Sequence, residues 1–223
     1  MARIDIKGDI IANDDKWIYD WLDWGATCPR DIKSVLESTP ADEAIDVYIN
    51  SGGGSVFAGQ EMYSALRGDN RVHIHIESLA GSAAGVVAMA GHCSMSPVGM
   101  VMIHNVSLSG ASGDYHDMQR NADALKQMNA AMATAYVEKS GRPLDEILKL
   151  MDKETWLTAN QCLEYGFVDE IEEAPADGAF FNAYDGMRLT EEIRAKVISE
   201  KAAADELARA KETLLEDLDS YGV

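Results

Sequence analysis

The sequence predicts an α/β fold with a largely parallel sheet, and three observations carry that expectation. β-branched or apolar runs of strand length recur at RIDIKGDII (3–11), AIDVYINS (44–51), RVHIHIES (71–78) and VGMVMIHN (98–105). Helix-period segments separate them, and a run of three glycines, Gly52 to Gly54, sits between the second strand and the helix that follows. The order strand, glycines, helix, strand, small-residue helix, strand is a βαβ alternation, in which helices serve as crossovers between parallel strands.

Each later element has its own signal. VFAGQEMYSALRG (56–68) puts Val56, Gly59, Met62, Tyr63 and Leu66 on one helical face and stops at Gly68. ESLAGSAAGVVAMAG (77–91) is a helix-length segment of unusually small residues around Ser82. A polar SLSGASG loop (107–113) leads to a long amphipathic helix near 114–139, striped by Met118, Ala122, Leu125, Met128, Met132 and Tyr136. Methionine stripes of this kind pack as core or as an oligomer interface. Proline at 143 opens another helix, through residue 151. In 155–171 a short extended piece precedes a helix capped from Thr158, then Gly166 and a final strand.

Composition shifts after residue 172. The sequence divides into a domain at 1–172, an acidic linker at 173–186 and a C-terminal helix within 187–223. Thr190 is placed to cap that helix, and Ile193, Val197, Ala204, Leu207, Leu214 and Leu218 follow a heptad-like register. Such a helix serves assembly or packs on its own domain; the pattern leaves both open.

The chain has 223 residues, 19 Lys and Arg against 38 Asp and Glu, and a net charge of −19. That balance, without any basic stripe, argues against nucleic acid as a partner. Cys28, Cys93 and Cys162 show no paired spacing and read as free thiols of a reducing compartment. The N-terminus lacks the apolar core of a signal peptide, and the small-residue run is too short to span a bilayer. The expectation is a soluble cytoplasmic protein. His73, His75, His92 and His116 form no metal-ligand motif, and the glycine run lacks the Lys of a phosphate loop. No metal or cofactor is expected.

What remains is a serine among small residues, a histidine at a strand end, and carboxylates further on. Nucleophilic catalysis by Ser82 needs a base, a group to orient that base, and backbone donors for an oxyanion. At a helix start the free N–H of Ala83 would supply one donor, and Gly54 leaves space for a second. The spacing alone favours a helix cap over a nucleophile, since Ala80 and Ala84 replace the glycines of G-x-S-x-G.

Four ordered motifs reverse that balance. YINSGGGSVFAG (48–59), LAGSAAGVVAMAG (79–91), MIHN (102–105) and ETWLTANQCLEYGFVDEI (154–171) resemble those of the ClpP family of serine peptidases. The likeness covers roughly residues 1–172. It implies a crotonase-like spiral of βαβ units with an extra C-terminal helix, and homo-oligomeric rings stacked through the 114–139 helix. It implies Ser82 as nucleophile, His104 as general base, and the N–H groups of Gly54 and Ala83 as oxyanion donors. The orienting Asp of the family falls on Glu154, with Asp152 as the second choice. Gly52 replaces the proline of the family's turn, and Gly81 and Gly85 flank the serine helix.

The opening IDIKGDIIANDDKWIYDWL, the INSGGGSVFAG form, MDKETWLTA and the extra helix are similar to the phage-encoded branch that matures heads. That branch implies capsid or scaffold proteins as substrates, in the host cytoplasm or the assembling prohead. Alternatives are a bacterial ClpP-like subunit fed by an AAA+ unfoldase, an inactive ring-forming scaffold, and a crotonase-type acyl-CoA enzyme.

Overall fold

Isoleucine and valine at alternate positions set the sheet. In a computed structural model, which describes residues 2–172 and 191–220, β1 (Ala2–Ile10), β3 (Ile45–Gly54) and β4 (Val72–Gly81) are its long central strands. Ile4, Ile6, Val47, Ile49, Ile74 and Ile76 all turn to one face and are buried. Each such side chain contributes about 1.5–3 kcal/mol relative to an exposed one. The opposite face is polar: Arg3 stacks on the Tyr48 ring, Tyr48 stacks on His75, and His75 reaches Asp46, Ser94 and Glu172.

Around these strands run α1 (Lys16–Trp21), β2 (Ala26–Thr27), α2 (Pro29–Ser38), α3 (Val56–Leu66), α4 (Ala83–Ala88), β5 (His92–Met95) and β6 (Met100–Ile103). They are followed by α5 (Tyr115–Ser140), α6 (Leu144–Asp152), β7 (Thr155–Thr158), α7 (Ala159–Tyr165), β8 (Glu170–Ile171) and α8 (Glu191–Ser220). The strand order is β2-β1-β3-β4-β5-β8, all parallel. The expected α/β fold with a parallel sheet is present.

β4 changes neighbour along its length. Its first half pairs with β5, and Leu79 to Gly81 pair in parallel with Met100 to Met102 of β6. β7 then adds antiparallel to β6. This branch places the ends of β4 and β6 side by side, with β7 running back past them.

Two boundaries differ from the sequence reading. β3 runs through all three glycines, and β4 runs through Leu79-Ala80-Gly81, so the small-residue helix is only Ala83–Ala88. Strand pairing captures these residues because they let two backbones meet: a Cβ on Gly81 would stand 3.0 Å from the Gly52 carbonyl oxygen. Pro143 is the N-cap of α6 and not a residue of its first turn. β2, β5 and α1 are short and carry little signal; α2, with Pro29 at its start and Asp31 completing a capping box, has a helix signature that the sequence reading left unassigned.

Met132 and Tyr136 of the α5 stripe are buried, whereas Met118 and Ala122, nearer its start, are exposed. The helix ends at Gly141 in a left-handed conformation. Contacts divide the chain into residues 1–186 and 187–223. α8 lies in the second unit, and the Leu207 side chain on it is exposed. The expected linker and the Thr190 cap lie outside the described residues, as do the side chains of Leu214 and Leu218. No helix among the described residues is long and apolar enough to cross a membrane.

Candidate active site

Ser82 joins β4 to α4 in a turn of one residue. Its backbone, at φ 51 and ψ −121, is in a region that L-residues rarely occupy, at a cost of about 1–3 kcal/mol. The surrounding backbone enforces it. The Ser82 N–H donates to the Met102 carbonyl at 2.8 Å, and the Ser82 carbonyl accepts from Val86 N–H at 3.3 Å. A strand leading through a strained serine into a helix projects the hydroxyl outward from the sheet edge, as in a nucleophile elbow.

His104 follows β6 by one residue. Gly81 is level with Met102 in the β4–β6 register, so the next residue, Ser82, and His104 emerge together. The His104 Nε2 lies 2.7 Å from the Ser82 Oγ. Both residues are half-buried. When Nε2 accepts the serine proton, the second ring proton resides on Nδ1, where an orienting carboxylate would act.

The two carboxylate choices are separated by their partners. Asp152, the last residue of α6, accepts a hydrogen bond from the Asn105 side-chain amide at 2.9 Å. Glu154 carries no such bond. The antiparallel β6–β7 register pairs Ile103 with Thr155, so its next step sets Glu154 opposite His104. Glu154 leaves the ladder there, with φ 49 and its N–H on the Met151 carbonyl. Its side chain is exposed, and among the described residues neither carboxylate is hydrogen-bonded to His104. The structure therefore brings Ser82 and His104 together and leaves the acid unengaged.

Ala83 is the first residue of α4, so its N–H has no acceptor within the helix. Gly54 is at the end of β3 and packs on Ile10, where a Cβ would stand 2.2 Å from the carbonyl oxygen. Gly53, which with Gly54 was expected to supply the close approach of this turn, touches the nucleophile more closely. A Cβ there would stand 2.8 Å from Ser82 Cβ and 2.9 Å from Ala83 N. The glycine run was the available signal. Asn105 was likewise passed over, although it lies inside the MIHN motif.

The helix behind Ser82 is apolar. α4 is buried throughout. Burial pushes the thiols of Cys93 and Cys162 up to about 12, so both remain protonated. Burial likewise raises the Tyr136 phenol, which packs against Gly85. Among the described residues no group of three or more His, Cys, Asp or Glu is arranged to hold a metal ion.

Comparison with known proteins places the chain in a family. Residues 33–175 match the family model described as Clp protease. The chain is 32% identical over 140 residues to an ATP-dependent Clp protease proteolytic subunit of Bacteroides fragilis, covering 61% of this chain and 67% of that protein. It is 33% identical over 143 residues to the protein of the same name from Porphyromonas gingivalis, covering 62% and 64%. It is 32% identical over 144 residues to ATP-dependent Clp protease proteolytic subunit 1 of Corynebacterium glutamicum, covering 61% and 68%. The match thus spans about two thirds of the length of these relatives and stops short of α8. With residues 33–175 matched and these relatives, the chain belongs to the Clp protease family, a family of serine-type peptide hydrolases.

Proposed function

We propose that the chain is a serine endopeptidase in which Ser82 attacks the scissile carbonyl and His104 is the general base. The observation that carries this is the 2.7 Å contact from His104 Nε2 to Ser82 Oγ on a strained strand-to-helix turn. As Oγ bonds to the carbonyl carbon, its proton passes to Nε2, and the C=O electron pair moves onto oxygen. The N–H groups of Ala83 and Gly54 are the donors for that oxyanion. The imidazolium then protonates the departing amine, leaving an acyl-Ser82 ester. Water, deprotonated by the same imidazole, hydrolyses the ester. Glu154 orients His104 from its place opposite in the register, and Asp152 is the second choice. Fluorophosphonate labelling of the wild type, lost in Ser82→Ala and reduced in His104→Ala, supports this. Labelling that survives Ser82→Ala contradicts it.

The substrates in this reading are capsid or scaffold proteins of a phage, cleaved in the host cytoplasm or the assembling prohead by homo-oligomeric rings. The opening sequence, the MDKETWLTA segment and the appended helix α8 support it. The exposed first half of α5 supplies a surface for stacking rings. Co-expression with candidate capsid proteins, wild type against Ser82→Ala, tests the substrate. Deletion of 176–223 tests α8: unchanged peptidase activity together with unchanged capsid co-assembly removes α8 from the account.

A second reading is favoured by the names of the relatives, which are ATP-dependent proteolytic subunits. Here an ATP-driven unfoldase feeds the chain. Degradation of a folded substrate only when an unfoldase and ATP are added would select it over capsid processing.

A further inference from the structure

We propose that Asn105 is a positioning residue that holds Asp152 away from His104 and so reserves His104 for Glu154. The inference rests on the peptidase reading above. Asp152 and Glu154 are two residues apart on one turn, yet an imidazole needs a single carboxylate to fix its tautomer. Asn105, the residue after His104, donates its side-chain N–H to Asp152 Oδ1 at 2.9 Å. The opposite amide orientation would set a carbonyl oxygen against a carboxylate, so the direction of the bond is fixed by charge. The Asn105 Oδ1 is buried with no hydrogen-bond partner. Apart from the backbone, the Asp152 contact is thus what holds this side chain, and a buried orphan acceptor is tolerated where the conformation serves a purpose.

The backbone beyond is pinned too. Val106 N–H donates to Asn129 Oδ1 of α5 at 2.7 Å, which fixes the strand end that carries both His104 and Asn105. Ionisable groups on the turn are Asp152, Lys153 and Glu154; Ser82 and Asn129, on the other elements next to this strand end, are uncharged at neutral pH. Freeing Asp152 would bring a second negative charge to the imidazole, which favours the imidazolium and makes the base harder to deprotonate.

The test is the pH dependence of Ser82 labelling by a fluorophosphonate in the full-length chain. In Asn105→Ala the acid limb of the labelling-rate profile is expected to move to higher pH by about half a unit to one unit. In the double variant Asn105→Ala with Asp152→Asn it is expected to return to the wild-type position. Should Asn105→Ala fail to fold, Asn105→Ser supplies the same arm with a polar but shorter side chain. A profile that drops uniformly without moving, or a shift that survives removal of the Asp152 charge, overturns the proposal. Loss of Ser82-specific labelling in the wild type is a different result, and overturns the peptidase reading instead.

Discussion

Gly53 and Ser82 are in such close contact that a single methyl group would not fit between them. A Cβ on Gly53 would stand 2.8 Å from the Cβ of Ser82 and 2.7 Å from the carbonyl oxygen of Gly81, and Gly53 has φ +99. Gly53→Ala must therefore displace the serine turn or strain its own backbone. A displacement of about 1 Å at a reacting group costs on the order of 100-fold in rate. The expected result is labelling of Ser82 slowed by about that factor. Stability should fall by about 1–3 kcal/mol, measured by denaturant unfolding.

Tyr136 and Gly85 form a second such contact, where α5 meets the helix that carries the nucleophile. A Cβ on Gly85 would stand 2.5 Å from the Tyr136 hydroxyl. Gly85→Ala is expected to cost about 1–3 kcal/mol by overpacking. Adding Tyr136→Phe removes the clashing oxygen and should recover part of that loss. A double-mutant cycle read by thermal unfolding checks the coupling, and strict additivity would show that the two side chains do not compete for the same space.

Glu154 should behave as an acid that is needed and a shape that is replaceable. Glu154→Gln keeps the length and removes the charge that stabilises a protonated His104, so kcat is expected to fall by about 10²–10⁴. Glu154→Asp retains the charge. Asp also tolerates the positive φ of this position better than Glu, so stability should hold or rise slightly. Activity within about tenfold of wild type is the expected outcome for Asp, since one lost methylene changes reach and not charge. A Gln variant as active as wild type would remove Glu154 from the site.

The buried thiols predict an alkaline limit to stability. Cys93 and Cys162 titrate at about 12 in the fold because burial disfavours the thiolate, against an unfolded value of about 8.5. Between those values the unfolded chain binds fewer protons than the native one, so stability falls as pH rises. The thiol contribution is complete below about pH 8.5 and lost progressively towards pH 12. Replacing both residues with alanine should flatten the fall in Tm over that window, although it lowers Tm at neutral pH. Iodoacetamide at pH 8 should leave both thiols unmodified until denaturant is added.

Much of the fold was legible, because burial on one face writes period-2 patterns such as Ile45, Val47 and Ile49 into β3. The strand extensions were not legible. Gly52 to Gly54 and Leu79 to Gly81 were chosen for how closely backbones approach, and small residues carry no strand signature of their own. Ser82 and His104 were found as a pair only because several motifs occur in order; their contact depends on β4 changing partner from β5 to β6, which no local window encodes. The choice between Glu154 and Asp152 turns on the β6–β7 register and on Asn105, both long-range facts. Asn105 itself looks like any polar residue after a strand until its partner 47 positions away is known.

The most direct measurement is the site and pH dependence of fluorophosphonate modification, read by peptide mass spectrometry. The account predicts one adduct, on Ser82, that is abolished by Ser82→Ala. Its formation rate should fall at least tenfold in His104→Ala, and in wild type should rise with pH, as general-base catalysis requires. An adduct on a different serine, or a Ser82 adduct whose rate is indifferent to both pH and His104, would contradict it.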